Sequence, residues 1–136
     1  AIAATSLMRE LDTVENAYLR VGALPQQVNN ALQYALTWST DGLINEYGNP
    51  CEAIADRRTV EAAPLEGLEE IEIDGTLYEA FNTSGGLGTL CETLAGKVDN
   101  LDYKTVRYPG HRDIVKILIR DLRLGQRRES PPCGLF

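Results

Sequence analysis

Histidine is almost absent from this chain, and the single one, His111, rules out any site built from two or three imidazole ligands. Cysteine is scarce too. Cys51, Cys91 and Cys133 are odd in number, far apart, and form no C-x-x-C pair. That pattern suits reduced thiols in a cytoplasmic protein better than a disulfide framework or a zinc site. Basic residues are the minority, 13 against 20 acidic, for a net charge of −7. Nucleic-acid binding rests largely on Lys and Arg neutralising phosphates, so nucleic acid is a poor partner. No apolar run approaches the ~18 residues of a membrane span. No basic segment precedes the apolar residues at the N-terminus, so no signal peptide is expected. The first residue is Ala rather than Met, which fits a processed chain or one cut from a longer protein.

What remains is ordinary globular material: 136 residues, 43% hydrophobic and 24% charged. This length carries one domain with a real core. We place that domain at residues 1–124, followed by a polar tail or linker at 125–136, which holds two basic residues and a double proline.

Periodicity divides the domain. Residues 1–11 read as a short helix, with Leu7, Met8 and Leu11 at helical spacing. Residues 14–22 alternate as a strand whose Ala17, Leu19 and Val21 share one face. Residues 32–38 alternate as well, with Leu32, Tyr34, Leu36 and Trp38 on one side, and are expected to form a strand. Ser39-Thr40-Asp41 supplies N-cap chemistry for a helix ending at Gly48. Residues 51–62 suggest a hairpin turning near Asp56 to Arg58. A clearer hairpin pairs EEIEI with TLYEAF across Asp74-Gly75, where both turn positions want positive φ. A helix is expected over 87–96, a strand over 101–108, and a helix over 111–123 with Ile114, Ile117, Leu118 and Leu122 as its apolar face. The sum is an α+β domain: one mixed β-sheet with helices on one face.

Three strand ends carry chemistry. Trp38-Ser39 offers an aromatic wall and a hydroxyl at a pocket mouth, or simply a buried ring and a helix cap. Thr83-Ser84-Gly85-Gly86 before a helix can point backbone N–H groups at a carboxylate or phosphate, or can be a turn needing positive φ. It is neither a P-loop nor a dinucleotide fingerprint, since it lacks both spacings. Arg107 ends a strand, where its fork can bind a carboxylate in bidentate fashion. His111 opens the next helix, as a polar contact, proton donor or structural group; the helix dipole there favours the neutral ring. No Ser-His-Asp set is identifiable, no metal-ligand cluster stands out, and no catalytic residue can be assigned. Tyr34, Tyr47, Tyr78 and Tyr103 read as packing residues, and Cys51 and Cys91 as small core residues.

Taken in order, these stretches resemble the C-terminal, substrate-binding and dimerisation domain of saccharopine dehydrogenase-like enzymes, including the lysine 6-dehydrogenase branch. The resemblance is carried by Gly22-Ala23-Leu24-Pro25, Leu36-Thr37-Trp38-Ser39, Gly42-Leu43-Ile44, Glu46-Tyr47, Asn82 to Leu87, Thr89-Leu90 and Lys104 to His111, covering roughly residues 14 to 122. It implies a fold like the C-terminal domain of glyceraldehyde-3-phosphate dehydrogenase. It also implies a parent oxidoreductase of lysine metabolism that works on a C–N bond of an amino acid with NAD or NADP. The substrate-binding set it suggests is Trp38, Ser39, Thr83, Ser84, Gly85, Gly86, Arg107 and His111, with an amino-acid-like carboxylate as ligand. Implied partners are the parent's N-terminal Rossmann domain and a second copy in a homodimer.

The Gly-rich strand–turn–helix unit of that Rossmann half is missing from this sequence. Without it, no cofactor is expected on this chain, which is then inactive alone. The competing function is a non-catalytic dimerisation or small-anion-binding module. The substrate stays open among lysine, saccharopine, a carboxylated polyamine and something unrelated to these.

Overall fold

A strand with partners on both edges organises the domain, seen in a computed structural model that describes residues 2–28, 30–37 and 39–126. The strands are β1 (Asn16–Val21), β2 (Cys51–Ala55), β3 (Arg58–Ala62), β4 (Glu69–Ile73), β5 (Thr76–Asn82) and β6 (Asn100–Arg107). The helices are α1 (Ile2–Arg9), α2 (Thr40–Gly48), α3 (Leu90–Leu94) and α4 (His111–Lys116), the last running on into a π-helical turn at Ile117–Asp121.

β6 takes β1 along one edge in parallel, from Asn16↔Asn100 to Val21↔Thr105. Its other edge is shared. β2 meets it at Ile54↔Leu101, and β5 pairs antiparallel from Asn82↔Lys104 to Glu79↔Arg107. Hairpins then add β3 beside β2 and β4 beside β5.

Paired residues point to the same side of a sheet. Ala17, Leu19, Ile54, Phe81, Leu101, Tyr103, Thr105 and Arg107 therefore share one face. Helix residues pack on that face. Leu90, Cys91 and Leu94 of α3, with Met8 of α1, meet Ile54, Leu101, Ala17 and Leu19. Leu43 and Tyr47 of α2, with Val115 of α4, meet Phe81. The expected α+β domain, a mixed sheet with helices on one face, is what forms. The opposite face carries Tyr18, Ile73, Tyr78 and a cluster in which Arg20 bonds Asp102 and Glu69, and Lys104 reaches Glu69 at 2.8 Å.

Both hairpins turn on two residues of positive φ: Asp74 and Gly75 at 50° and 77°, and Asp56 and Arg57 at 49° and 69°. The left-handed Arg57 is held by its N–H donating to Asp99 O at 2.9 Å and by the carbonyl of Arg57 accepting from Gly96 N. Cys51 and Cys91 are buried free thiols, as expected, and burial pushes the Cys51 thiol up to about 11.

Three expectations are corrected. Residues 32–37 form no strand. The Asn30 side chain bonds both the carbonyl and the N–H of Tyr34, closing a loop where a ladder would need those groups. Tyr34 is buried while Leu36 is exposed, so the alternation reflected one inserted ring rather than a buried face. The helix expected over 87–96 shrinks to Leu90–Leu94, because Gly88 sits at φ 56° and delays it. In the last helix the buried positions are His111 and Val115, with Ile119 packing beside them, while Ile117 and Leu122 are exposed. The phase is set ahead of the π turn, by His111 taking a core position against Tyr34 and Tyr47. Trp38 and residues 127–136, most of the expected tail, lie outside the described residues.

Phe81 is fully buried against Tyr47 and joins β5 to the α2–α4 layer. Phe81→Ala should lower unfolding free energy by about 3–5 kcal/mol in urea titrations. A loss under about 1 kcal/mol would show that this contact does not hold the layers together.

Candidate functional site

β6 ends by delivering Arg107 to the helix-covered face, where the residue is only 5% exposed. Its guanidinium is committed inward. Nε–H donates to the Tyr47 hydroxyl at 3.1 Å, and Nη1 donates to the Val106 carbonyl at 2.9 Å. Nη2 reaches Glu46 Oε1 at 3.5 Å, the long limit for a hydrogen bond. The Tyr34 ring lies 5.0 Å from the guanidinium carbon, within cation–π range.

The neighbouring polar groups follow from that commitment. His111, fully buried, has Nδ1 at 2.7 Å from Leu32 O and Nε2 at 2.8 Å from the Tyr47 hydroxyl. A carbonyl only accepts, so Nδ1 carries the proton and Nε2 accepts from Tyr47. The Tyr47 oxygen in turn accepts from Arg107 Nε–H, so every group in the chain Arg107–Tyr47–His111–Leu32 is satisfied. Burial, partly offset by Arg107, raises the Tyr47 pKa and keeps its hydroxyl protonated. Burial lowers the His111 pKa, with the Leu32 bond opposing it and the Arg107 charge adding to it, so the ring is neutral at pH 7.

Glu46 stands between this network and solvent. Burial raises its pKa, against the pull of Arg107 and of the Thr83 hydroxyl. Its backbone carbonyl accepts from Ser84 N at 3.0 Å, and Ser84 Oγ donates to Asn45 O at 3.1 Å. These two bonds fasten the 83–86 turn to α2. Gly86 lies flat under the Tyr103 ring, and a Cβ there would overlap the ring atoms, so only glycine fits. Two adjoining depressions result. One, about 390 Å³, is lined by Gly42, Asn45, Glu46, Ser84, Gly85, Gly86 and Tyr103. The other, about 270 Å³, is lined by Thr83, Gly85, Gly86, Tyr103 and residues of the Pro50–Glu52 and Leu87–Gly88 segments.

The sequence profile of the saccharopine dehydrogenase C-terminal domain matches residues 1–131. The chain belongs to that family. Its fold also matches an apo histidine-tagged saccharopine dehydrogenase (L-Glu forming) from Saccharomyces cerevisiae, with a TM-score of 0.73 at 19% identity. That match covers 95% of this chain and 31% of the yeast chain, so this domain spans about a third of the protein it resembles.

Within this saccharopine dehydrogenase C-terminal domain, the expected site residues separate into groups. Ser39 caps α2, its Oγ accepting from Gly42 N at 3.2 Å. Thr83, Ser84, Gly85 and Gly86 do come together, in the turn between the two depressions. Arg107 and His111 are joined through Tyr47 behind Glu46, and neither lines either depression. β5 and β6 run antiparallel, so the strand ends that carry the glycine turn and Arg107 do not converge on one spot. Gly85 and Gly86 also precede the first residue of α3 by several positions, so they are no helix terminus. Glu46, Tyr47 and Tyr103 enter the site without having been singled out as candidates. The sequence signal for the first two was Glu46-Tyr47 among the stretches that carry the family resemblance. The described residues contain no cluster of three or more metal-ligating side chains and no helix long and apolar enough to cross a membrane.

Because folding depresses the His111 pKa below its ordinary 6.5, the unfolded chain takes up this proton first. Stability should therefore fall as pH drops from 7 through about 6.5, until the folded value is passed. Glu46, raised above 4.5, acts with the opposite sign at lower pH. Urea midpoints at pH 7.0 and 5.5 should differ in the native protein and converge in His111→Gln. An unchanged difference in the variant would place the titration elsewhere.

Proposed function

We propose that this domain is the substrate-binding half of an NAD(P)-dependent oxidoreductase acting on a C–N bond of an amino acid. The observation that carries the reading is the pair of depressions walled by Glu46, the Thr83–Gly86 turn and Tyr103, backed by the buried Arg107 charge. Polar backbone and a carboxylate line them, while Tyr47 and His111 behind are buried and hydrogen-bonded. Sites with this division of labour position a ligand without moving.

The residues present do not fit a nicotinamide dinucleotide. No G-x-G-x-x-G turn joins a strand to a helix in the sequence. The hydride carrier then belongs to a part of the parent outside this chain, and this chain's residues bind and orient the substrate. Arg107 acts through Glu46 and Tyr47 as a positioning residue, holding the carboxylate and the α2 end in register with the turn.

In the full-length parent, Arg107→Ala should raise KM about 10- to 100-fold, on the order of 1.5–3 kcal/mol of lost binding. Arg107→Lys should recover only part, since an ammonium lacks the planar fork that reaches Tyr47, the Val106 carbonyl and Glu46 at once. A KM within twofold of the native value in Arg107→Ala would refute the assignment.

The open sheet face supports a two-fold dimer as part of the same reading. Tyr18 is 60% exposed and Ile73 49%, while Arg20, Lys104, Glu69 and Asp102 cancel in charge and can be covered together. Sedimentation should show a dimer that Tyr18→Glu weakens; a monomer at high concentration would count against it.

A further inference from the structure

We infer that the depression beside Gly85 and Gly86 receives a cationic amine, with the Glu46 carboxylate and the Thr83 hydroxyl as its two acceptors. The inference deepens the substrate-binding reading and rests on it, since it names which end of the substrate this corner takes.

Thr83 is 3% exposed, and its Oγ1 is the one buried side-chain polar atom among the described residues without a hydrogen-bond partner. A buried hydroxyl left unpaired is destabilising, so an unpaired one at a pocket wall marks a place where a ligand completes the bonding. Thr83 lines the smaller depression and Glu46 the larger, and the two share Gly85, Gly86 and Tyr103. The Thr83 hydroxyl also acts on the Glu46 carboxylate as a donor, though it falls short of hydrogen-bond geometry. The two oxygens therefore lie close to one another where the depressions adjoin.

The charge at this corner is unequally matched. Glu46 has one cationic neighbour, Arg107, at 3.5 Å, and that guanidinium is already spent on Tyr47 and Val106. The carboxylate stays underpaired for its burial. An ammonium carries three donors and no acceptor. One N–H can go to Glu46 and another to Thr83 Oγ1, pairing the charge and the orphaned hydroxyl in one step. A carboxylate ligand would instead meet Glu46 as a like charge, with Arg107 screened behind it. Ser84, bonded to Asn45 O and Glu46 O, fixes the spacing of the two acceptors.

The test is an NMR titration of the ¹⁵N-labelled chain with n-butylammonium chloride and, separately, sodium butyrate. Butylammonium should shift the Ser84, Gly85 and Gly86 amides saturably, and butyrate should not. Glu46→Gln should weaken that binding at least tenfold. Thr83→Val should weaken it several-fold, while Thr83→Ser, which keeps the hydroxyl, should restore it. If butyrate shifts these amides and butylammonium does not, the amine assignment is overturned and the site reading survives. If neither probe shifts them, both are overturned. Butylammonium binding that is unchanged in Glu46→Gln and in Thr83→Val also overturns the amine assignment.

Discussion

A buried guanidinium has to be answered, and the answer to Arg107 shapes this end of the domain. Placing a charge in the core is expensive unless its donors are taken. The Val106 carbonyl, the Tyr47 hydroxyl and the Tyr34 ring face supply that compensation. Tyr47 then has a proton to donate, and His111 accepts it. His111 in turn needs an acceptor for Nδ1, and Leu32 O provides it. Through this sequence of obligations, one charge at the end of β6 fixes α2, the start of α4 and the loop around residue 32 relative to each other.

The candidate site lies on the outward side of that scaffold. Glu46 follows Tyr47's helix and so inherits its rigidity. The 83–86 turn is tied to the same helix by two hydrogen bonds and pressed by Tyr103. The solvent-facing groups are thus backed by the hydrogen-bonded chain of Arg107, Tyr47, His111 and Leu32. The unpaired Thr83 Oγ1 lies at the wall where a ligand would sit.

Local patterns made much of the fold legible. Alternation with turn residues marked both hairpins. Asp-Gly in particular reads as a two-residue turn because few residue pairs tolerate positive φ twice. Ser39 announced α2 because a capping oxygen satisfies orphan N–H groups whatever the surroundings. The Gly85-Gly86 pair also stood out: of the two expected reasons the helix terminus fails, and the turn needing positive φ holds at Gly85, which sits at 86°. Gly86 is needed because an aromatic ring from another strand occupies the space of a side chain.

The features that misled or stayed hidden depend on what distant residues do. Leu32 to Trp38 alternates like a strand, yet Asn30 takes the Tyr34 backbone groups, and only the folded chain shows that competition. His111 counts as polar by residue type but lies in the core, since Tyr47 and Leu32 neutralise its need for water. Strand direction decided the site itself: β5 runs against β6, so Arg107 and the glycine turn stand at different ends and meet only through Glu46. The sequence by itself determined the turns, the caps, the amphipathic strands and the family, because those follow from neighbours a few residues away. Tertiary structure alone decided that Arg107 faces inward and Glu46 outward, because that depends on which buried charge finds partners 60 residues away.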